Sequence, residues 1–392
     1  LSLRISSRAA SFGESIIRQM TRVARETGAV NLAQGFPDFP APEMLKRAAC
    51  AAIEADQNQY AITWGVTRLR EAIAEKYGRL YDMPVDPDRD VIVTCGATEA
   101  MAAVFLAAFD PDDEVLVPEP YYENYGPDAV LAHARPVHVA LQGPDYHLDA
   151  SLFEQRITER TRAIVLNSPN NPTGRVFTRE ELSGIAALCL KHDLIAITDE
   201  IYEHILYDGE HIPLATLPGM RERTITVSGA SKTFAVTGWR IGTIVAPPPF
   251  AAAIRSVHDF LTVGAPAPLQ EAIAVAMEEL PEQYYTDMRD SYLARRELLV
   301  PQLQAAGFAC QAPEGAYYVL ADISAWARPD EDDQAFARRL SVEAGVTPVP
   351  GSSFFTDPAD ARRVVRFAFC KQKSTLEEAA ERLHTFARAG VS

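Results

Sequence analysis

Residues 228–242 read Ser-Gly-Ala-Ser-Lys-Thr-Phe-Ala-Val-Thr-Gly-Trp-Arg-Ile-Gly, and the fold turns on how the lysine among them, Lys232, is read. A β-branched run, Thr224-Ile-Thr-Val, leads into this cluster of small residues, and Arg240 follows just before Ile241 and Gly242. Taken alone, a lysine is a solvated surface residue. A strand end lined with Gly, Ala and Ser leaves a hollow instead. An amine desolvated there, with a second cation near it, has its pKa pushed down towards the free base. An unprotonated lysine in a hollow attacks carbonyl carbon, which is what a Schiff base requires.

Outward from this stretch, apolar runs alternate with helical ones from Asp90 to about Ala246. Val91-Ile-Val-Thr is followed by Cys95-Gly-Ala-Thr and a helical stretch over 99–109. Strand, small residues and helix start together aim backbone N–H groups and a helix dipole at an anion. Further strands are expected at 114–117, 137–141, 163–167, 194–198, 224–227 and 242–245, and Thr178 with Glu181 forms a capping box that opens a helix. Such alternation predicts an α/β fold with a mostly parallel sheet flanked by helices, whose ligands sit beyond the carboxyl ends of the strands. After about Pro281 the pattern changes to a long helix over 285–305, strands at 317–321 and 364–370 and a closing helix over 376–389, a smaller α/β unit. The expected division is 1–44 as an N-terminal arm and part of the small domain, 45–285 as the large domain and 286–392 as the small C-terminal domain. Within the arm, 13–27 suits one amphipathic helix, of a kind that often packs on a neighbour.

The 392 residues are too many for one simple core. A net charge of −16 argues against nucleic acid or an anionic membrane as partner, so a phosphate-bearing ligand must be held by local charges and dipoles. Five cysteines, Cys50, Cys95, Cys189, Cys310 and Cys370, lie without Cys-x-x-Cys spacing, which suggests reduced, buried thiols in a cytoplasmic protein. No metal-ligand spacing is visible. No basic stretch followed by an apolar one opens the sequence, and no apolar run is long enough to span a bilayer.

The lysine string resembles the cofactor-lysine signature of class I/II aminotransferases, the fold-type I pyridoxal-phosphate enzymes, through Ser231, Lys232, Arg240, Ile241 and Gly242. Asn31-Leu-Ala-Gln-Gly-Phe-Pro-Asp-Phe, otherwise a turn-rich loop, is similar to the substrate-side loop of the kynurenine, glutamine and methionine aminotransferase branch. At least six motifs match in order from about Asn31 to Cys370. The resemblance implies pyridoxal 5'-phosphate bound to Lys232, with Gly96, Ala97, Thr98 and Arg240 on its phosphate and Tyr122, or second Tyr121, stacked on its ring. It makes Asp199 the partner of the ring nitrogen, Tyr202 a donor to the phenolic oxygen, and Asn171 a contact of both that oxygen and the substrate carboxylate; Glu200 and Glu203 are read as bystanders. Pro169 and Pro172, so close together after a strand, are candidates for cis peptides that hold Asn171.

Gly35 and Arg366 are implied at the substrate α-carboxylate, Arg366 as a bidentate clamp inside an otherwise apolar strand. Trp64 either lines the substrate pocket or packs. Tyr60 is placed at the phosphate of the other subunit, implying a homodimer with shared sites. The sequence departs from many relatives at Gly229, where a hydroxyl is often found, so Ser231 or Ser228 must take that contact. The implied reaction is transfer of an amino group between an amino acid and a 2-oxo acid in two half-reactions, with Lys232, once freed, as general base. The same site type supports β-elimination, as in cysteine-conjugate lyases, or decarboxylation. A DNA-binding regulator built on such a domain is opposed by the net charge and by the roughly thirty residues ahead of the loop. No arginine falls in 257–264, which favours a neutral or aromatic amino acid, and the small Thr98 keeps a specialised biosynthetic substrate open.

Overall fold

The computed structural model describes residues 5–390. In chain order its strands are β1 (Val30–Asn31), β2 (Val91–Thr94), β3 (Glu114–Glu119), β4 (Arg135–Ala140), β5 (Thr161–Asn167), β6 (Ile195–Asp199), β7 (Thr224–Gly229), β8 (Gly242–Val245), β9 (Ala309–Cys310), β10 (Tyr318–Asp322), β11 (Val346–Thr347), β12 (Val349–Pro350) and β13 (Val364–Ala368). Seven of them form one sheet in the order β2-β8-β7-β6-β5-β3-β4. Successive side chains of a strand point to opposite faces. Along β5, accordingly, Ala163 and Val165 join one core with Met101 and Phe105, while Ile164 and Leu166 join another with Ile185 and Leu188. Burial on both faces explains why these strands read as continuous apolar runs.

The sheet is parallel except at β8, which runs antiparallel to both β2 and β7. A parallel crossover needs a dozen or more residues, usually with a covering helix. The link from β7 to β8 spends its residues on the short helix Ala230–Thr233 and one further turn, so β8 returns directly beside β7. Local constraints thus keep Lys232 at the sheet's carboxyl edge. The capping box on the helix Arg179–His192 is present, with Thr178 and Glu181 bonded reciprocally. Helices at Pro248–Thr262, Ala267–Glu279 and Asp333–Glu343 were not singled out by periodicity.

A second, antiparallel sheet has the order β12-β13-β10-β9. The expected boundary at 285/286 falls inside one helix, Glu282–Ala305, which runs through it unbroken. The early chain folds onto this unit. β1 pairs with β11, and Ile17, Met20 and Val23 of the helix Ile16–Thr27 pack with Leu320, Val349 and Phe354. The loop after β1 is sewn to the end of β13: the Ala368 N–H donates to the Leu32 carbonyl at 2.7 Å, and the Thr375 hydroxyl to Asp38 Oδ2 at 2.9 Å. All five cysteines are free, but the expectation of buried thiols holds only for Cys189 and Cys370; Cys50 is exposed and the other two are half-buried. Among the described residues no helix is long and apolar enough to cross a membrane.

Candidate active site

A cavity of about 720 Å³ opens at the carboxyl ends of β5, β6 and β7, between the large sheet and the small unit. Lys232 sits on its floor, in the turn where Gly229 passes so close to Ile241 and Gly242 that a Cβ at 229 would lie 2.8 Å from the Ile241 carbonyl oxygen. No hydroxyl-bearing side chain fits there, which accounts for the departure at Gly229. Of the two serines left to compensate, Ser231 lines the cavity, whereas Ser228 turns away and donates to Glu203 Oε1 at 2.8 Å. The Lys232 amine donates to the Gly35 carbonyl at 3.2 Å. Burial pulls its pKa from 10.5 down to about 8, against the pull of Cys370 and Asp199 and with the help of Arg240 and Arg366. Free base is therefore accessible near neutral pH.

Asp199 ends β6 and is 7% exposed. Burial pushes its carboxyl from 3.8 up to about 6, opposed by hydrogen bonds from the Tyr125 hydroxyl at 2.8 Å and the Ile201 N–H at 3.3 Å. None of the ion pairs among the described residues involves Asp199, so its charge is left for a cationic ligand atom.

The anion corner lies where the helix Ala97–Ala108 begins. Gly96 is its N-cap with φ +84°, and no side chain caps the helix, leaving its first N–H groups open. Arg240, itself in the left-handed region at φ +55°, lies flat on Gly96: a Cβ there would come within 2.3 Å of its guanidinium. Among the described residues its one acceptor is the Thr237 carbonyl at 3.0 Å. Ala97, Thr98 and Ser231 line the same corner. Tyr122 faces the cavity between these corners, while Tyr121 stacks on His138 with ring centroids 4.6 Å apart.

Opposite Lys232, Arg366 is 1% exposed on β13. It donates to Asn171 Oδ1 at 2.7 Å and the Ala33 carbonyl at 2.8 Å, and its Nε has no partner among the described residues. Its guanidinium lies between the rings of Tyr318 and Phe354, 4.1 and 4.8 Å from their centroids. No carboxylate of the chain pairs with it among the described residues. Asn171 is held by its own N–H donating to Asn167 Oδ1 at 2.7 Å, and the Ser168–Pro169 and Asn171–Pro172 bonds are both cis. Gly35 closes this corner. A Cβ on it would stand 1.9 Å from the Tyr318 hydroxyl. Gly35→Ala must displace either the loop or Tyr318, and an ångström of misplacement costs about 100-fold in rate. A loss of that order in kcat/KM with unchanged far-UV dichroism is expected; wild-type kinetics would show that the loop does not bear on the reaction.

Three expected site residues do not line this cavity: Gly96, which stands behind the Arg240 guanidinium, Tyr60 and Trp64. Tyr60 is 87% exposed, and Trp64 packs half-buried with Arg255 stacked 4.9 Å from its ring, its indole N–H unpartnered. Glu200 and Glu203 are not bystanders. Glu203 is buried and accepts from Lys76 at 2.7 Å, Tyr81 at 2.7 Å and Ser228; burial pushes its pKa up, but Lys76, His204 and His211 hold it well below the usual range. Glu200 meets His211 at 2.9 Å. Together they tie the turn after Asp199 to the strand end before Lys232. Sequence reading missed Tyr125, which orients Asp199, and Tyr318, whose hydroxyl lies 3.0 Å from that of Tyr202. It also missed the arm's share in the wall: Phe12, Ile17 and Arg18 line the cavity, and Ser15 donates to Glu123 Oε1 at 2.5 Å.

A depressed lysine, an unpaired buried carboxylate, an open anion corner and an unpaired buried arginine, all facing one cavity, define a site for covalent capture of a carbonyl beside a carboxylate clamp. The comparisons agree: the model of the family described as aminotransferase class I and II matches residues 27–383, and the chain belongs to that family. It is 40% identical to a probable N-succinyldiaminopimelate aminotransferase of Mycobacterium tuberculosis, covering 97% of this chain and 98% of that one. It is 38% identical to the methionine aminotransferase of Escherichia coli, over 96% and 97%. Among solved structures, an Escherichia coli protein with methionine aminotransferase function superposes with a TM-score of 0.93 at 37% identity, over 98% and 100%. The aspartate aminotransferase of Thermus thermophilus with maleate gives 0.91 at 37%, with the same coverage. The protein is an aminotransferase, moving amino groups between amino acids and oxo acids.

Proposed function

We propose that the protein binds pyridoxal 5'-phosphate at Lys232 and transaminates a neutral or aromatic L-amino acid against a 2-oxo acid, as a cytoplasmic homodimer. The observation that carries this reading is that Lys232, Asp199, Arg240 and Arg366 enter no ion pair among the described residues, and that the groups facing the cavity fit such a cofactor: anion corner, aromatic face, carbonyl-reactive lysine, carboxylate. When bound, the cofactor supplies an electron sink for the bond broken at the substrate Cα. The chain supplies the rest. Arg240, Ser231 and the N–H groups at 97–98 would hold the phosphate, and Tyr122 would offer the ring an aromatic face. Asp199, oriented by Tyr125, keeps the ring nitrogen protonated. Tyr202 and Asn171 donate to the phenolic oxygen. Arg366, Asn171 and Gly35 orient the substrate carboxylate so that Cα–H faces the Lys232 amine, which accepts and returns the proton.

The exposed Tyr60, with Ile62 49% and Phe260 90% exposed, supports the dimer. A face of this kind is expected to be covered by a partner. The apolar arm residues Phe12 and Ile17 support an uncharged substrate side chain. A second reading, a longer biosynthetic substrate with a distal acidic group, is favoured by Arg18 on the cavity rim, which takes no part in the ion pairs of its helix, Arg22 with Glu14 and with Glu26. The test is a single-turnover screen of amino acids against the cofactor-loaded protein, followed by its visible absorbance. Methionine, glutamine, phenylalanine or kynurenine converting the band, with aspartate at least about tenfold slower, supports the first reading. Conversion only by an acylated diamino dicarboxylic acid supports the second, and conversion by none overturns both.

A further inference from the structure

We infer that Lys371 is a positioning residue that shapes the carboxylate subsite, an inference that rests on the function proposed above. It follows β13 and is 3% exposed, yet it pairs with no carboxylate among the described residues. Its Nζ donates to the Phe36 carbonyl at 2.8 Å and the Gln34 carbonyl at 3.2 Å, and stands 4.2 Å from the centre of the Phe36 ring. Asp38, the acid of the same loop, spends its carboxylate on the Gln372 N–H and the Thr375 hydroxyl instead. A lysine is rarely buried without an ion pair. Here two of its donors are spent on fixing the carbonyls on either side of Gly35.

The consequence is geometric. With the carbonyls of Gln34 and Phe36 drawn to Lys371, the intervening Gly35 carbonyl accepts from Lys232 at 3.2 Å and from the Tyr317 hydroxyl at 2.9 Å. The Gly35 N–H donates to no group among the described residues. A carboxylate subsite needs donors turned in and carbonyl oxygens turned away, because a carbonyl oxygen facing a carboxylate repels it. Lys371 draws the Gln34 and Phe36 carbonyls to itself, the planar trans peptide then turns the Gly35 N–H the opposite way from the Gln34 carbonyl, and the Gly35 carbonyl is occupied by Lys232 and Tyr317.

The experiment compares the cofactor-loaded wild type with Lys371→Met and Lys371→Arg by calorimetry, using two probes. One is 3-phenylpropanoate, which has the carboxylate but no amine; the other is 2-phenylethylamine, which has the amine but no carboxylate. Lys371→Met is expected to weaken 3-phenylpropanoate by about tenfold or more, the size of one lost hydrogen bond to a charged group, and to leave 2-phenylethylamine nearly unchanged. Lys371→Arg is expected to recover most of the loss. Equal weakening of both probes would mean that Lys371 merely supports the fold, and unchanged carboxylate binding would mean that the loop holds its shape without it; either overturns the inference. Should the wild type bind neither probe, the reading of the cavity as an amino-acid site falls first. Should Lys371→Met misfold, Lys371→Gln, which keeps two donors, is read by the same pair of probes.

Discussion

Arg366→Met is expected to lose nearly all productive amino-acid binding and yet to raise the melting temperature of the cofactor-free protein. In the folded chain Arg366 is a buried cation whose protein partners are all neutral: the Asn171 side-chain oxygen, the Ala33 carbonyl and two aromatic faces. Desolvating it costs several kcal/mol that no ion pair among the described residues returns, and apolar replacements of buried ions are often stabilising by about 1–4 kcal/mol. Methionine fills the slot between Tyr318 and Phe354 without that charge. The two acceptors it abandons offset part of the gain. With a substrate carboxylate present the sign reverses, since truncating one partner of a buried charge pair costs about 2–5 kcal/mol, or roughly 30- to several-thousand-fold. Thermal melts and steady-state kinetics on the same preparation check both halves. A lower melting temperature would make Arg366 a structural residue, and an unchanged kcat/KM would remove it from the carboxylate site.

That arginine was legible in the sequence because a charge inside Val364-Val-Arg-Phe-Ala demands a partner, and the chemistry of the gap can be read from the residue type. Lys232, Asp199 and Asn171 were legible for a related reason: each follows an apolar strand or a short link from one, and chain direction alone carries it to the same sheet edge. Tyr125, Tyr318 and Lys371 were not. Each acts through a long-range contact, to Asp199, Tyr202 and the 34–36 loop, that no local pattern encodes. Glu203 shows the limit from the other side. A glutamate four residues past a strand reads as solvated, and only its burial against Lys76, Tyr81 and Ser228 reveals that it braces the strand end bearing Lys232. The antiparallel return of β8 escaped because alternation reports layers and not strand direction; the short link from β7 that dictates it was in view but had no periodicity to read.

Lys232→Met is expected to lose about 10²–10⁴-fold from the proton-transfer role alone, and further activity because the covalent attachment goes with it. Arginine should not rescue it, since a guanidinium stays protonated and cannot take up the Cα proton. The wild-type amine, drawn down to about 8 by burial, makes a second measurement decisive. Below that pH most of the amine is protonated, so covalent capture of pyridoxal 5'-phosphate by the cofactor-free protein should quicken about tenfold per pH unit, then level off above about 8. An onset near the ordinary lysine value of 10.5 would show that the hollow does not perturb the amine. The same shift fixes the sign of a stability effect. Folded protein holds its Lys232 proton less tightly than unfolded chain, so the contribution is present above 10.5 and is lost as pH falls through about 8. Lys232→Met has no proton to exchange there. Its melting temperature should therefore exceed that of the cofactor-free wild type below pH 8, with the gap closing as the pH climbs towards 10.5; a constant gap would mean that packing, and not the charge on the amine, sets the difference.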